Sequence, residues 1–288
     1  MGIKLAYSLA EENFDKDAVN RVILATDGDF NVGITDNESL KSLIERKRDK
    51  GIYLSVLGFG QGNYNDSLMQ TLAQNGNGNA AYIDTLNEAR KVLVEEAGST
   101  LFTIAKDVKI QVEFNPNRVS EYRLIGYETR MLNREDFNND KVDAGEVGAG
   151  HSVTAIYEIT EVGSFGKLVD DLRYGNKKEV NNDKKGEYAF LKIRYKLPDE
   201  KESKLLSRPI TNNDEYNSFD KVPNDIRFAA SVAGFGQVLK GGKHTGQLTY
   251  EGLSEIAKQS KGEDEYGYRT EFIRLLALAK SSKELGNR

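Results

Sequence analysis

A run of four apolar residues, Val22-Ile23-Leu24-Ala25, stops abruptly at Thr26-Asp27-Gly28. An apolar run this short, with no polar residue alternating through it, is the pattern of a strand buried on both faces of a parallel sheet. Turn-forming residues follow at once, so a carboxylate stands where the strand ends. In open α/β sheets ligands bind in the crevice outside the carboxyl ends of the strands, which puts Asp27 where sites occur. The competing reading is a turn aspartate whose side chain bonds to nearby backbone.

The flanking residues fit an α/β pattern. Ile3, Ala6, Tyr7, Ala10 and Phe14 recur at helical spacing and predict an opening helix. Thr35 and Glu38 form a capping box before a helix with Leu40, Leu43 and Ile44 inward, and Gly51 stops it. Residues 52–57 are again nearly continuous apolar, Asn65 or Asp66 opens a short helix, and Ala80-Ala81-Tyr82-Ile83 makes a third strand. Thr85 and Glu88 form another capping box, before a predicted long helix with the stripe Leu86, Ala89, Val92, Leu93, Ala97 and Leu101. Helix-strand alternation predicts a parallel sheet, its strands side by side in chain order through right-handed crossovers. Three strands are few for a complete doubly wound domain.

Beyond residue 105 the apolar period falls to two. Val108, Ile110, Val112 and Phe114 alternate with Lys109, Gln111 and Glu113, predicting a half-buried antiparallel strand. Further strands are expected over 121–128, 153–159, 187–197 and 204–210, with 177–185 as an exposed hairpin tip. Helices follow over 222–239, around Leu253, Ile256 and Ala257, and over 272–279. The first of these is expected to be buried, and the last to place Ile273, Leu275, Leu276 and Leu278 in the core. The expected fold class is α/β plus α+β. A partial doubly wound, Rossmann-like parallel sheet over residues 1–104 is followed by an antiparallel β-rich domain with carboxy-terminal helices over 105–288.

The segment Thr26-Asp27-Gly28-Asp29-Phe30-Asn31-Val32-Gly33, with Leu57-Gly58-Phe59-Gly60 and Gly62-Asn63-Tyr64-Asn65-Asp66, resembles the second half of a von Willebrand factor type A domain. More narrowly it resembles the bacterial YfbK-like proteins of that superfamily. Residues 133–151 and Phe228-Ala-Ala-Ser-Val-Ala-Gly-Phe-Gly236 carry the same resemblance, which thus extends over nearly the whole chain. It implies a Mg²⁺ on top of the sheet, in a metal-ion-dependent adhesion site. The ligands in that family come from a D-x-S-x-S motif, a threonine in a later loop, and the aspartate of a T-D-G motif. Asp27 matches the last, with Asp29 a candidate supporting acid. The other two have no counterpart, since both would precede Gly2, so the resemblance implies an amino-terminally incomplete domain. Mg²⁺ takes near-octahedral oxygen coordination, so one aspartate is not expected to hold it tightly. The family's first strand also lies beside the strand ending at Asp27. Without it, the Val22 to Ala25 backbone has an unpaired edge, expected to pair with another copy of the chain or to be covered by a rearranged segment.

The function expected from the resemblance is a non-enzymatic protein-interaction module. Its binding of an unknown protein partner would depend on Mg²⁺ in the intact protein and be impaired in this chain. The alternatives are a Mg²⁺-dependent hydrolase using Asp27 and Asp29, and a structural or assembly protein. Against hydrolysis, no Lys, Arg, Ser or His lies within the 26–33 motif to stabilise or attack a phosphoryl group. A bacterial cell-envelope or periplasmic location is implied by resemblance alone.

Composition removes other classes. A net charge of −5 with both signs mixed leaves no sequence-wide basic footprint for nucleic acid. No apolar run approaches the ~20 residues of a membrane span. There is no cysteine for disulfides, nucleophilic thiolates or thiolate metal sites. His151 and His244 are far apart and lack a serine-acid or ligand constellation. Gly58-x-Gly60-x-Gly62 imitates a dinucleotide fingerprint but has Asn63 where the third glycine belongs. Gly236 and Gly241 have Walker spacing, but Gly242 stands where lysine is needed. Asp136, Asn138 and Asp140 begin like a calcium loop, yet an EF-hand requires Gly at Lys141 and Glu at Val147. A looser Ca²⁺ site drawn from Asp136, Asn138, Asp140, Asp143 and Glu146 is the remaining metal candidate. The competing reading is a solvated acidic loop.

Overall fold

The computed structural model describes residues 2–27, 37–60, 65–96, 98, 102–127, 131–142, 144–170, 184 and 186–286. The chain divides into two compact units. One comprises 1–110, 134–152 and 193–206, and the other 111–133, 153–192 and 207–288.

The first unit begins with α1 (Gly2–Glu12), then β1 (Asn20–Thr26), α2 (Asn37–Arg48), β2 (Ile52–Phe59), α3 (Asp66–Asn75), β3 (Ala80–Ile83) and the short α4 (Leu86–Arg90). The strands form one parallel sheet in the order β1-β2-β3, with Val22 opposite Leu54 and Leu57 opposite Ala81. Side chains alternate across a strand, so Val22, Leu24, Leu54 and Val56 share one face. That face packs with Ile3 and Tyr7 of α1, Leu40 and Ile44 of α2, and Met69, Leu72 and Ala73 of α3 into a single core. Asn65 caps α3 by accepting from the Leu68 N–H at 3.1 Å, and Thr85 caps α4 by accepting from the Glu88 N–H at 3.2 Å.

Three expectations are corrected in this unit. The strand ending at Asp27 is not buried on both faces: Ile23 is 53 % exposed and Ala25 is exposed, because β1 is an edge strand covered on the Val22–Leu24 side. Among the described residues no rearranged segment pairs with its outer edge. Of the predicted long helix after Thr85 the described residues show α4, a π-helical turn over Lys91–Glu95 and a helical Gly98, with Leu86, Leu93 and Val94 exposed; Ala97 and Leu101 lie outside the described residues. Phe14 is exposed rather than part of the α1 face. The capping residue Thr35 lies outside the described residues.

Tyr7 is completely buried in this core, and among the described residues its hydroxyl has no hydrogen-bond partner. Burial alone pushes the phenol well above its ordinary pKa. Removing an unsatisfied buried polar group relieves a desolvation penalty of about 1–3 kcal/mol. Tyr7→Phe is therefore expected to raise the urea midpoint of unfolding. A lower midpoint would show that the hydroxyl is satisfied by a partner such as a buried water.

A second sheet takes the order β6-β4-β8-β9, from β4 (Thr103–Phe114), β6 (Gly145–Gly148), β8 (Glu187–Lys196) and β9 (Lys204–Thr211). A third pairs β5 (Val119–Ile125) with β7 (Ile156–Glu161), antiparallel, with Tyr122 opposite Ile159. The sequence pattern did not anticipate β6, whose Gly145-Glu-Val-Gly148 carries one apolar side chain. The predicted facing of β4 is inverted at its centre: Lys109 is 2 % exposed while Ile110 is exposed. The β4–β6 register shifts between Ala105 and Val108, and Asp107 adopts a left-handed φ of 50°. An irregularity of this kind moves the following side chains to the opposite face. In the second unit, Phe114 stacks on Tyr122 at 4.4 Å between ring centroids and meets Tyr157 edge-on at 5.3 Å. Such geometry stabilises beyond simple burial.

The helices α5 (Asn224–Leu239), α6 (Tyr250–Gln259) and α7 (Tyr268–Gly286) share a core of Leu253, Ala257 and Leu276, flanked by Phe228, Phe235, Phe272 and Ile273. Helix α5 is open on one side, with Ile226, Val232 and Leu239 exposed, contrary to its expected burial. Leu275 and Leu278 are exposed as well, because the helical repeat that turns Phe272, Ile273 and Leu276 inward turns them out. No described helix is long and apolar enough to cross a membrane. The expected hairpin tip over 177–185 falls outside the described residues, apart from Lys184.

Candidate functional site

Asp27 follows β1 at the carboxyl end of the parallel sheet, one residue beyond the pairing of Thr26 with Gly58, and its side chain is exposed. Gly60, at φ 85°, turns the chain away from β2 beside it; a Cβ at Gly60 would lie 3.8 Å from the Asp27 carbonyl oxygen and 3.9 Å from Asp27 Cβ. The Gly60 carbonyl accepts a hydrogen bond from the Tyr82 hydroxyl, which ties the ends of β2 and β3 together. The sequence pattern located Asp27 at this end; the Gly60–Tyr82 tie had no signature of its own. Asp29 and most of the glycine-rich stretch after Gly60 lie outside the described residues. One exposed carboxylate falls short of the donor set that Mg²⁺ takes. Among the described residues no group of three or more His, Cys, Asp or Glu side chains is placed to hold a metal ion.

The acidic stretch 136–146 is drawn into bonds with the basic side chains of β4 and β8 rather than gathered around a common centre. The Lys109 amine donates to the carbonyls of Asp136, at 3.2 Å, and Asn139. Arg194 donates to Asn138 Oδ1 at 3.1 Å, and Lys196 to the Asp140 carbonyl at 2.9 Å. The Asp140 carboxyl is held below its ordinary pKa, first by a hydrogen bond from Ser203 and then by Lys196 and Arg194. Glu146 faces elsewhere, accepting from Asn77 Nδ2 at 3.0 Å and Thr103 Oγ1 at 3.1 Å. Asp143 lies outside the described residues.

A second polar locus sits at the opposite, amino-terminal end of the parallel strands. Arg21 donates to Ser55 Oγ at 2.8 Å, and its guanidinium lies 5.4 Å from the Tyr53 ring centroid. Burial lowers its pKa, partly offset by the charge of Glu146. Beside it is an open cavity of about 260 Å³, lined among others by Arg48, Tyr53, Asn77, Asp107 and Glu146. Much of its charged lining is already bonded: Arg48 pairs with Asp49 at 3.0 Å, Asp107 with Lys196 at 2.6 Å, Lys106 donates to the Pro198 carbonyl at 2.9 Å, and Glu146 is held as above. Such a seam holds strands in place. It also lies at the end of the sheet away from the carboxyl termini where α/β ligands bind.

Residues 99–282 match the profile of the family described as "Uncharacterized protein YfbK, C-terminal". The Escherichia coli (strain K12) protein described as "Uncharacterized protein YfbK" is 48% identical over 279 residues, 96% of this chain and 48% of the relative. The chain therefore spans about half the length of the curated relative it matches. A solved structure, von Willebrand factor type A from Catenulispora acidiphila, aligns with a TM-score of 0.41 and 12% identity, over 94% of this chain and 61% of that one.

Proposed function

The chain belongs to the YfbK family, and we propose that it is a non-enzymatic protein-interaction module whose binding surface lies at the carboxyl end of the parallel sheet. One observation carries this reading: the edge strand β1 delivers Asp27, exposed, to the end of the sheet where α/β domains take their ligands. Metal dependence is proposed for longer family members, in which residues outside this chain would complete the ligand set around Asp27. In this chain alone Mg²⁺ binding is weak. Among the described residues no strand pairs with the outer edge of β1, which supports self-association as the second half of the reading: such an edge is a template that an additional strand, or a second copy of the chain, would cover.

Calorimetric titration with Mg²⁺ and Mn²⁺, run on this chain and on an amino-terminally extended version, tests both halves when combined with sedimentation velocity. Binding by the extended form only, abolished by Asp27→Ala, is the expected result, with self-association confined to the shorter chain. Equal metal binding by both forms would remove Asp27 from the site and point to the 136–146 stretch instead. Turnover of a phosphoester panel by the extended form would overturn the non-enzymatic reading.

A further inference from the structure

Among the described residues β1 pairs with β2 alone, and its side chains divide between two faces. Val22 and Leu24 turn toward the core, whereas Ile23, Ala25 and Asp27 are exposed on the opposite face. The core side of this edge is apolar as well. Helix α1 packs over β1, and α2 over β2. Glu11 of α1 meets Lys47 of α2 at 2.6 Å and Lys50, just beyond it, at 3.0 Å, which fixes the flank of α1 that faces α2. The helical repeat places Leu5 and Leu9 on the other flank, above the outer edge of β1. Both are exposed. An open edge with apolar side chains above and below it buries apolar area when another strand pairs with it.

We propose that the occupant is β1 of a second copy of the chain, paired antiparallel about a two-fold axis that passes beside Leu24 perpendicular to the sheet. The proposal rests on the reading of this edge as a self-association template and adds its register. Such an axis keeps like faces together, so the helix-covered sides of both sheets lie on one side of the joined sheet. It also brings α1 of each copy to the seam, with Leu9 placed to pack across it.

Charge complementarity selects both the partner and the register. Centred on Leu24, the pairing sets Ile23 opposite Ala25 of the second copy, Val22 opposite Thr26, and Arg21 opposite Asp27. Apolar side chains then meet apolar ones, and each charge meets its opposite. Arg21 gives one N–H to Ser55 Oγ at 2.8 Å, and a guanidinium has further N–H groups to give. Centred on Ile23 instead, the pairing sets Asp27 opposite Val19 and Arg21 opposite Ala25; centred on Ala25, it sets Asp27 opposite Ile23. Either alternative desolvates a charge against an apolar side chain, which is costly. A cation and an anion equally spaced from one central leucine are what antiparallel self-pairing requires.

The chain contains no cysteine, so introduced thiols report the register directly. Sedimentation equilibrium of the unmodified chain is expected to show a dimer. Ile23→Lys, made at a side chain that is already exposed, is expected to weaken it by about tenfold or more. The Ile23→Cys/Ala25→Cys double variant is expected to form a covalent dimer under mild oxidation. Neither single variant does so, because only the double variant sets thiols opposite each other. Cross-linking through Ile23→Cys alone, or a dimer indifferent to Ile23→Lys, overturns the proposal while leaving self-association through another register or surface. A monomer throughout overturns the edge reading as well. None of these readouts involves a metal, so each is independent of whether Asp27 binds Mg²⁺.

Discussion

Gly78→Ala is expected to abolish stable folding of the parallel-sheet unit. A Cβ built at Gly78 would lie 1.9 Å from the Leu54 carbonyl oxygen, 2.5 Å from its carbon and 2.9 Å from Arg21 Nη1. The first two atoms are backbone of the central strand, so no side-chain rotation relieves the clash. The segment must withdraw, breaking the bonds from Leu54 N–H to the Gly76 carbonyl at 2.8 Å and from Val56 N–H to the Asn79 carbonyl at 2.9 Å. Leu54 and Val56 are fully buried, so these amides would be left without partners. Overpacking and unsatisfied buried donors together cost upwards of about 3 kcal/mol. Gly236→Ala provides the contrast: it lies inside α5 with nothing within 4 Å of the added carbon. There the better helix propensity of alanine is expected to stabilise by about 0.5–1 kcal/mol. Urea unfolding followed by circular dichroism checks both, and a Gly78→Ala protein as stable as the parent would refute the close approach.

The second large effect concerns Lys109. Its amine is the donor to the Asp136 and Asn139 carbonyls, and its stem is buried. Lys109→Ala removes both the donor and the packing, and is expected to destabilise by about 2–4 kcal/mol. Because Asn139 is itself exposed, water can replace part of the loss, which favours the lower half of that range. Lys109→Met keeps the stem and should cost less than alanine. Hydrogen exchange gives the local readout: the Asn139 and Val142 amides, bonded to the Asp136 and Asn139 carbonyls at 3.2 Å each, are expected to lose protection in both variants. Unchanged protection would mean that the loop holds itself in place without the lysine.

Lys109 also shows where reading the sequence stops working. Strands β2, β3 and β8 lie close to where their apolar runs predict, because a buried or half-buried strand needs only a local pattern. Strand β4 was located correctly, but its facing depends on the irregularity around Asp107, which no composition signal marks. Helix α7 also lies where its apolar pattern predicts, but Ile273, Leu275, Leu276 and Leu278 crowd six consecutive positions, and only packing selects which of them face inward.

The candidate site divides along the same line. Asp27 was legible because strand end and turn residues adjoin in sequence. The Arg21–Ser55 and Glu146–Asn77 contacts join residues 34 and 69 positions apart, a distance that periodicity cannot span. The acidic stretch was legible as charge alone; which of its backbone carbonyls meets which lysine is decided by β4 and β8 lying beside it.

The sheet order β6-β4-β8-β9 also sets a timetable for synthesis. The parallel sheet closes over neighbouring segments and can assemble once β3 has left the ribosome. Strand β4 cannot complete its sheet so soon, since Glu187, where β8 begins, follows Phe114 by 73 residues. At translation rates of about 5–20 residues per second, one edge of β4 waits roughly 4–15 s for its partner. The nascent chain therefore passes through an interval in which a chaperone, or a neighbouring nascent copy, competes with β8 for that edge.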